Sequence, residues 1–372
     1  MARLGDVATY INGYAFKPTD WSDEGKPIIR IQDLTGNSYQ ANRFNGVCPE
    51  KYNVYDGDIL ISWSASLGVY VWRGEDAVLN QHIFKVVFDK VEVDRSFFIH
   101  QVENILANAV DEAHGATMKH LTKPVFDALP FALPPLEEQK RISEELDKVT
   151  RLIAFRKQQL AKLDELVKAR FIELFGDTIL NPFGWEKDLL GTVCDVRDGT
   201  HDSPQYHETG YPLVTSKNVT GGKIDLTDCS LICEADFKKI NERSKVDMGD
   251  IIMPMIGTVG KPVIVDIEPS FAIKNVSLIK FKADSRVLNI YIRALLQSDY
   301  FDDAVLSKVR GGTQKFISLG DIRKLEVLVP PMELQEQFAV FVEQTDKSKL
   351  AVQQSIDQLE TLKKSLMQKY FG

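Results

Sequence analysis

Cysteine, cationic excess and long apolar runs are all scarce in this chain, and each shortage closes a class of function. The 372 residues hold four cysteines, Cys48, Cys194, Cys229 and Cys233, too few and too unevenly placed for a disulfide framework. Cys229 and Cys233 form a C-x3-C pair, but a structural zinc needs four ligands and no second Cys or His pair follows at ligand spacing. His201 and His207 lie upstream in a polar, turn-rich run, so no metal site is expected. No segment approaches the ~18 apolar residues of a membrane span, and the N-terminus lacks the apolar core of a signal sequence. The expectation is a cytoplasmic protein with no membrane partner. Net charge is −8. Residues 1–130 carry 12 basic and 17 acidic side chains, and 177–328 carry 19 and 22. Neither region can hold nucleic acid by bulk charge alone; a basic groove would have to coexist with an acidic back, or a partner would supply phosphate contacts.

Catalytic signatures are missing as well. Asn181-Pro182-Phe183-Gly184 has part of the pattern with which adenine methyltransferases hold a flipped base, without its second proline and its aromatic fourth residue. It reads as a turn. Gly257-Thr258-Val259-Gly260-Lys261-Pro262 is too short for a phosphate loop and puts proline where a hydroxyl must hold magnesium. Asp20, Asp23, Glu24 and Lys26 crowd one polar turn beside Trp21, and the six histidines have no nearby Ser-Asp or Cys partner.

What the chain does have is itself, twice. Leu133-Pro134-Pro135-Leu136-Glu137-Glu138-Gln139-Lys140 returns as Val329-Pro330-Pro331-Met332-Glu333-Leu334-Gln335-Glu336, and Glu173-Leu174-Phe175-Gly176 returns as Lys369-Tyr370-Phe371-Gly372. His114-Gly115-Ala116-Thr117-Met118-Lys119-His120-Leu121 is echoed by Arg310-Gly311-Gly312-Thr313-Gln314-Lys315-Phe316-Ile317, and Asp56-Gly57-Asp58-Ile59-Leu60 by Met248-Gly249-Asp250-Ile251-Ile252. Leu4-Gly5 to Gly13 loosely follows Leu190-Gly191 to Gly199. A repeat of this length is a duplicated domain, not a solenoid unit.

Four parts follow: a β-rich globular domain over 1–132, a long helix over 133–176, a second globular domain over 177–328 and a second long helix over 329–372. Short apolar runs bounded by turn residues, such as 27–31, 58–63, 68–72 and 82–88, predict strands. A helix is expected over about 95–113 and its counterpart over about 288–309. Each long helix opens on a proline pair, and the first has acidic residues in its first turn and Gly176 past its end. Ile142, Leu146, Val149, Ile153, Leu160, Leu163, Val167 and Leu174 form a 4-3 heptad. Phe338, Val342, Val352, Ile356, Leu359, Leu366 and Tyr370 form another, with polar Thr345, Lys349 and Lys363 on its seam. Because the second globular domain must bridge the end of one helix and the start of the other, the two are expected to pair within the chain as an antiparallel coiled coil. The fold class is α+β. Trp63 and Trp72 alternate with apolar strand residues and read as core, not as stacking platforms.

These residues resemble the specificity subunit of type I restriction-modification systems. The resemblance rests on residues 133–142, Leu174-Phe175-Gly176, Gly57-Asp58-Ile59-Leu60, the Asn80-Gln81-His82 turn and the Gly-x-Thr-x-Lys stretches at 115–119 and 311–315, in this order and twice over. The second copy departs from the first in having Phe316 for His120 and Leu334-Gln335-Glu336 for Glu138-Gln139-Lys140. The resemblance implies a non-catalytic subunit with two target recognition domains, each reading half of a bipartite double-stranded DNA site. It also implies long helices that act as spacer and dock two methyltransferase subunits. No cofactor would be bound by this chain; S-adenosylmethionine would belong to the methyltransferase, and ATP and magnesium to a restriction (translocase and nuclease) partner. The alternative is a coiled-coil scaffold whose globular domains bind something other than DNA.

Half-sites about one turn apart, ~34 Å, face the same side of the duplex, and loops placed in the major groove can distinguish all four base pairs. The candidate DNA-binding residues are Arg30, Gln32, Ser64, Thr117, Lys119 and His120 in the first domain. In the second they are Thr200, His201, Ser203, Lys217, Asn218, Arg310, Thr313 and Lys315. The run 311–315 stands out because glycines let the backbone approach a phosphate and the polar residues after them can reach it.

Overall fold

The computed structural model describes residues 1–36, 42–64, 66–112, 122–256, 259–304 and 316–372. Contacts divide the chain into two compact units: residues 1–157 with 354–372, and residues 158–353.

The strands of unit 1 are short because turn residues cut its apolar runs. β1 (Thr9–Asn12), β3 (Ile59–Ser62), β4 (Gly68–Val71) and β6 (Ile83–Val87) form an antiparallel sheet in the order β1-β6-β3-β4. A smaller sheet sets β2 (Lys26–Ile29) parallel to β5 (Ala77–Leu79). Ile29, Val54, Leu60, Leu79 and Ile83 cluster together as one core. Tyr10, Ile61 and Phe84 instead join Phe97, Phe98 and Val102 of α1 (Arg95–Glu112).

Unit 2 repeats this plan. β7 (Asp195–Asp198), β9 (Ile251–Pro254), β10 (Val263–Ile264) and β12 (Val276–Lys280) form a sheet in the order β7-β12-β9-β10, and β8 (Tyr211–Val214) runs parallel to β11 (Ala272–Ile273). The sequence echoes fall on matching backbone. Gly13 donates its N–H to Ile83 O as Gly199 does to Val276 O. A Cβ on Gly13 would lie 2.0 Å from Asn80 O, and one on Gly199 2.5 Å from Ile273 O, so neither position admits a side chain. In the Gly-Asp turns, Asp58 accepts from Tyr55 N–H (2.9 Å) and Asp250 from Asp247 N–H (2.8 Å).

Two features differ from expectation. The helix expected over about 288–309 is two helices, α4 (Asn289–Leu296) and α5 (Asp299–Ala304). The chain breaks at Gln297-Ser298, where the Ser298 carbonyl accepts a fresh start from Phe301 N–H at 3.0 Å. The Ser298 hydroxyl donates back to Leu295 O at 2.7 Å, closing α4 before α5 begins. Unit 2 also contains α3 (Glu234–Ser244), whose Phe237 stacks on Tyr211 at 4.1 Å and packs with Ile240 onto Leu213, Ile232 and Ala272. At the corresponding point of unit 1 the described residues form only the 3-10 turn Glu50–Tyr52, and the rings of Tyr52, Tyr14, Phe16 and Phe44 make a row with centroids 5.5, 4.9 and 5.0 Å apart.

The long helices α2 (Leu136–Phe175) and α6 (Met332–Phe371) are 40 residues each, and they pair antiparallel as expected. In unit 1, Tyr370 Oη donates to Glu145 at 2.6 Å and Lys157 pairs with Glu360 at 2.9 Å. In unit 2, Lys349 meets Asp164 at 2.6 Å, and Phe338 packs on Phe171 and Phe175. The three polar seam residues each have a partner. Thr345 Oγ1 donates to Phe341 O, Lys349 reaches Asp164, and Lys363 reaches Glu103 of α1 at 3.6 Å. Glu103 is held below the usual carboxylate range. Burial pushes it up, but its contacts with His100 and Lys363 outweigh that.

The glutamine of the repeated proline-proline motif is hydrogen-bonded to the globular part in both copies. Gln139 and Gln335 are buried at 2% and 0% exposure, and each fastens the start of a long helix to the start of a helix of its globular part, α1 or α4. Gln139 accepts from Asp94 N–H (2.9 Å) and donates to Pro134 O (2.8 Å). Gln335 accepts from Leu288 N–H (2.8 Å) and donates to both Arg286 O (3.0 Å) and Pro330 O (2.9 Å). Asp94 and Leu288 open α1 and α4, so the side-chain amide takes up a helix-terminal N–H that would otherwise be orphaned. The repeated Phe-Gly ends match in the same way: Phe371 packs edge-on to Phe97 at 5.4 Å, and Phe175 edge-on to Tyr291 at 4.8 Å.

Candidate nucleic-acid interface

In each unit the strand register gathers loops at one end of the sheets. Asn12 lies opposite Phe84 and Ser62 opposite Ile83, which brings segments 13–17, 63–64 and 80–82 together; β2, parallel to β5, adds 30–34. In unit 2, Asp198 opposite Ser277, Pro254 opposite Val276 and Val214 beside Ile273 gather 199–206, 255–256, 274–275 and 215–218.

The eight candidates within the described residues all fall in these loops. Arg30 caps the short helix Ile31–Leu34: its N–H donates to Asp33 at 2.8 Å and its Nε lies 3.4 Å from the same carboxylate. Gln32 sits half-buried within that turn, and Ser64 is buried, its carbonyl accepting from Ser62 Oγ at 3.2 Å. The matching loop of unit 2 builds the same turn with an amide in place of the carboxylate. Asn218 is buried, and its Oδ1 accepts from Thr215 N–H (3.0 Å) and Thr215 Oγ1 (2.9 Å) while Nδ2 donates to Asp228 O (3.3 Å). Asp33 and Asn218 thus stand at equivalent positions, and so do Gln32 and Lys217. Lys217 is exposed, with Asp228 at 3.6 Å. Thr117, Lys119, His120, Arg310, Thr313 and Lys315 lie outside the described residues.

Thr200, His201 and Ser203 follow β7. Thr200 donates its N–H to Ile273 O as Tyr14 does to Leu79 O, and its Oγ1 accepts from Asp202 N–H at 3.1 Å. Ser203 Oγ accepts from Lys274 Nζ at 2.8 Å. His201 has both ring nitrogens against oxygen: Nε2 is 2.8 Å from Asp198 Oδ2 and Nδ1 2.9 Å from Asn275 Oδ1. Asp198 is buried and its other oxygen holds the Arg243 guanidinium. The hydrogen bonds to Asn275 and Asp198 raise the His201 pKa, against the opposing effects of burial and Arg243.

Sequence reasoning missed several residues here. Tyr14 and Lys17 occupy in unit 1 the places of Thr200 and Ser203 in unit 2, which a strict alignment on Gly13 and Gly199 would have found. Arg243, Lys274 and Asn275 carried no motif. Asn275 has a left-handed backbone (φ 56°), as His82 does before the matching strand (φ 73°), so the Asn80-Gln81-His82 turn was the available pointer. Trp63 and Trp72 pack against the two cores of unit 1; Trp63 stacks on Phe84 at 5.6 Å and donates to Asn12 Oδ1 at 3.2 Å. Asn181 closes a turn through two hydrogen bonds with the Trp185 backbone, and Asp20 caps one by accepting from Lys17 N–H at 2.7 Å. Among the described residues no group of His, Cys, Asp and Glu could hold a metal, and no helix is long and apolar enough to cross a membrane.

Comparison with known proteins puts a family beside this geometry. The profile described as the type I restriction modification DNA specificity domain matches residues 1–165 and again 182–361. The chain is 24% identical over 404 residues to the type I restriction enzyme EcoBI specificity subunit of Escherichia coli, covering 99% of this chain and 84% of that one. It is 24% identical over 390 residues to the MjaVIII specificity subunit of Methanocaldococcus jannaschii, covering 99% and 90%. Among solved structures, the S subunit of a type I restriction-modification system from M. genitalium superposes with a TM-score of 0.54 at 15% identity, over 100% of this chain and 95% of that one. A chain from a structure of type I restriction-modification complex assembly superposes with a TM-score of 0.56 at 18% identity, over 100% and 96%.

Proposed function

The chain belongs to the type I restriction modification DNA specificity family, and from that premise we infer that it is the subunit that recognises DNA sequence for such a system. Each unit reads one half of a bipartite target. The observation that carries this is the double match of one DNA-specificity profile to a chain whose two units share a fold and differ in the loops that crown it. A fixed framework with divergent loops is what two independent readers require: phosphate contacts set position, while side chains at base edges set sequence. The reading in which the globular domains bind something other than DNA has no support in these matches.

Arg30, Gln32, Ser64, Thr200, His201, Ser203, Lys217 and Asn218 are proposed at this interface, with Thr117, Lys119, His120, Arg310, Thr313 and Lys315 beside them in sequence. Their chemistry divides the work. Lys217 and Gln32 would reach a ligand. Asn218 and Asp33 use their side chains inside the loop and would shape it. The chain would perform no chemistry itself: two methyltransferase subunits, docked on the long helices, would supply S-adenosylmethionine, and restriction subunits would supply ATP and magnesium. Its place would be the cytoplasm, where the DNA and those partners are.

The test is a map of methylated adenines across the genome with and without this gene, followed by replacement of residues 1–130 with the equivalent region of a relative. Loss of one bipartite motif with the gene, and a change in only one half of that motif on replacement, is expected. A change in both halves, or in neither, would overturn the assignment of one reader to each unit.

A further inference from the structure

The strongest unassigned arrangement in unit 2 is the line of groups running from a buried carboxylate to a surface amide. Asp198, at the end of β7, is buried and meets two side chains, the imidazole of His201 from its own loop and the guanidinium of Arg243 from α3. His201 is 60% exposed at its side chain, yet both its nitrogens are engaged, the second by Asn275 Oδ1. No described group accepts a hydrogen bond from Asn275 Nδ2. The backbone of Asn275 is held left-handed, with its N–H bonded to Thr200 O at 3.2 Å. Asn275 therefore sits in the crown of loops with a fixed main chain and an amide whose orientation is set by an imidazole.

An amide turned by half a rotation exchanges donor for acceptor, and imidazole protonation decides which way it turns. With His201 protonated, Nε2–H donates to Asp198 and Nδ1–H to Asn275 Oδ1, leaving the Nδ2 hydrogens to donate to a ligand. When His201 loses its Nδ1 proton to solvent, Nε2–H still serves Asp198, and the bare Nδ1 requires a donor. Asn275 meets it by rotating so that Nδ2–H points to Nδ1 and Oδ1 takes the outward place. The charged groups bearing on His201 are Asp198 and Arg243, which act in opposite directions; Asp202 follows it in its own loop, and Lys274, beside Asn275, is occupied with Ser203.

We propose that Asn275 reads a base in the half-site of unit 2 and that the Asp198–His201 pair sets which hydrogen-bonding face it presents. This rests on the recognition function proposed above and adds a residue and a proton-linked device to it. With His201 protonated the outward group is a donor, which suits an acceptor such as N7 or O6 of a purine in the major groove. His201 would act as a positioning residue, since both of its nitrogens are already used.

The test uses the full chain with the methyltransferase that co-purifies with it, and duplexes carrying the mapped target or a substitution in one half at a time. Binding is measured from about pH 6 to about pH 8.5 at constant ionic strength, across the range where a histidine titrates. Discrimination at the half-site of unit 2 should fall on the order of tenfold as pH rises. Asn275→Gly, which is at ease at a positive φ, should remove both the discrimination and its pH dependence without lowering the melting temperature. Asn275→Asp, which offers only acceptors, should fix the high-pH behaviour at every pH. Wild-type discrimination in Asn275→Gly, or a pH dependence that survives in it, overturns the inference and leaves recognition itself intact. If the wild-type complex distinguishes neither half-site, the recognition function falls, and this inference with it.

Discussion

Replacing Gln335 with leucine should destabilise unit 2 more than the same change at Gln139 destabilises unit 1. Leucine leaves Leu288 N–H, Arg286 O and Pro330 O without their partner. Each buried group left unpaired costs ~1–3 kcal/mol, and carbonyls with a second hydrogen bond cost less. Burying the added apolar surface returns ~1–2 kcal/mol. A net loss of ~2–4 kcal/mol is expected, which lowers the melting temperature of a unit of this size by ~5–15 °C. Gln139 serves two backbone groups where Gln335 serves three, so its replacement should cost less. Calorimetry of the full chain gives the size, and hydrogen exchange at the Leu288 amide gives the place. Gln335→Glu adds a check of sign. One carboxylate oxygen would replace the amide NH2 that faces two carbonyls, so the folded state should favour the protonated form and raise the pKa of this glutamate above its unfolded value of ~4.3. Between the two values the folded state holds the extra proton, so the variant should lose stability as pH rises from about the unfolded value through the raised folded one. A Gln335→Leu protein that melts with the wild type, or a Gln335→Glu protein with a flat pH profile relative to it, would refute the reasoning.

Four further outcomes follow from the same structure. Gly13→Ala and Gly199→Ala should each disrupt the sheet end of their own unit, because the new methyl would meet a backbone carbonyl; local exchange protection should fall there, and the other unit should keep its melting behaviour. Lys217→Ala should weaken binding at the half-site of unit 2 and, if its partner is a phosphate, lower the slope of log K against log salt by about one with little change in base preference. The purified chain should show no methyltransferase, nuclease or ATPase activity, as assays of each with its usual cofactor will report. Seven residues inserted after Leu160 and again near Leu359 add ~10 Å to each helix while keeping the seam in phase, and the methylated motif of that protein should lengthen by about three base pairs at ~3.4 Å each; an unchanged spacer with full activity would show that the helices do not set the distance.

The features legible in the sequence were those where geometry dictates residue type in both copies. Gly13 and Gly199 recur because a neighbouring carbonyl leaves no room for Cβ. The heptads recur because two helices share a seam, and the Phe-Gly ends recur because Phe175 and Phe371 each fill an aromatic junction. What stayed hidden depended on partners distant in sequence. Gln139 read as one more polar residue in a helix's first turn, since its bond to Asp94 spans 45 positions. The helix α3 has a stripe of only Phe237 and Ile240, too little for a periodic signal. The break at Ser298 lay inside an apolar pattern that looked continuous. The eight described candidates lie in the loops that the sheets gather, while other residues hold those loops together. Arg243 and Asn275 matter through Asp198 and His201, and these four residues come from three segments that only the fold brings together.

Unit 1 is built from two pieces of chain, residues 1–157 and 354–372, with the 196 residues of unit 2 between them. On a ribosome that order becomes a timetable. Unit 2 is contiguous and can close as soon as its own last helix turns emerge. Unit 1 must wait with the apolar side chains that Leu366, Met367 and Phe371 will cover still uncovered. At ~5–20 residues per second the delay is ~10–40 s, long enough for a half-finished domain to meet a chaperone or another nascent chain. A premature stop soon after residue 353 would therefore spare the unit synthesised later and disable the one synthesised first.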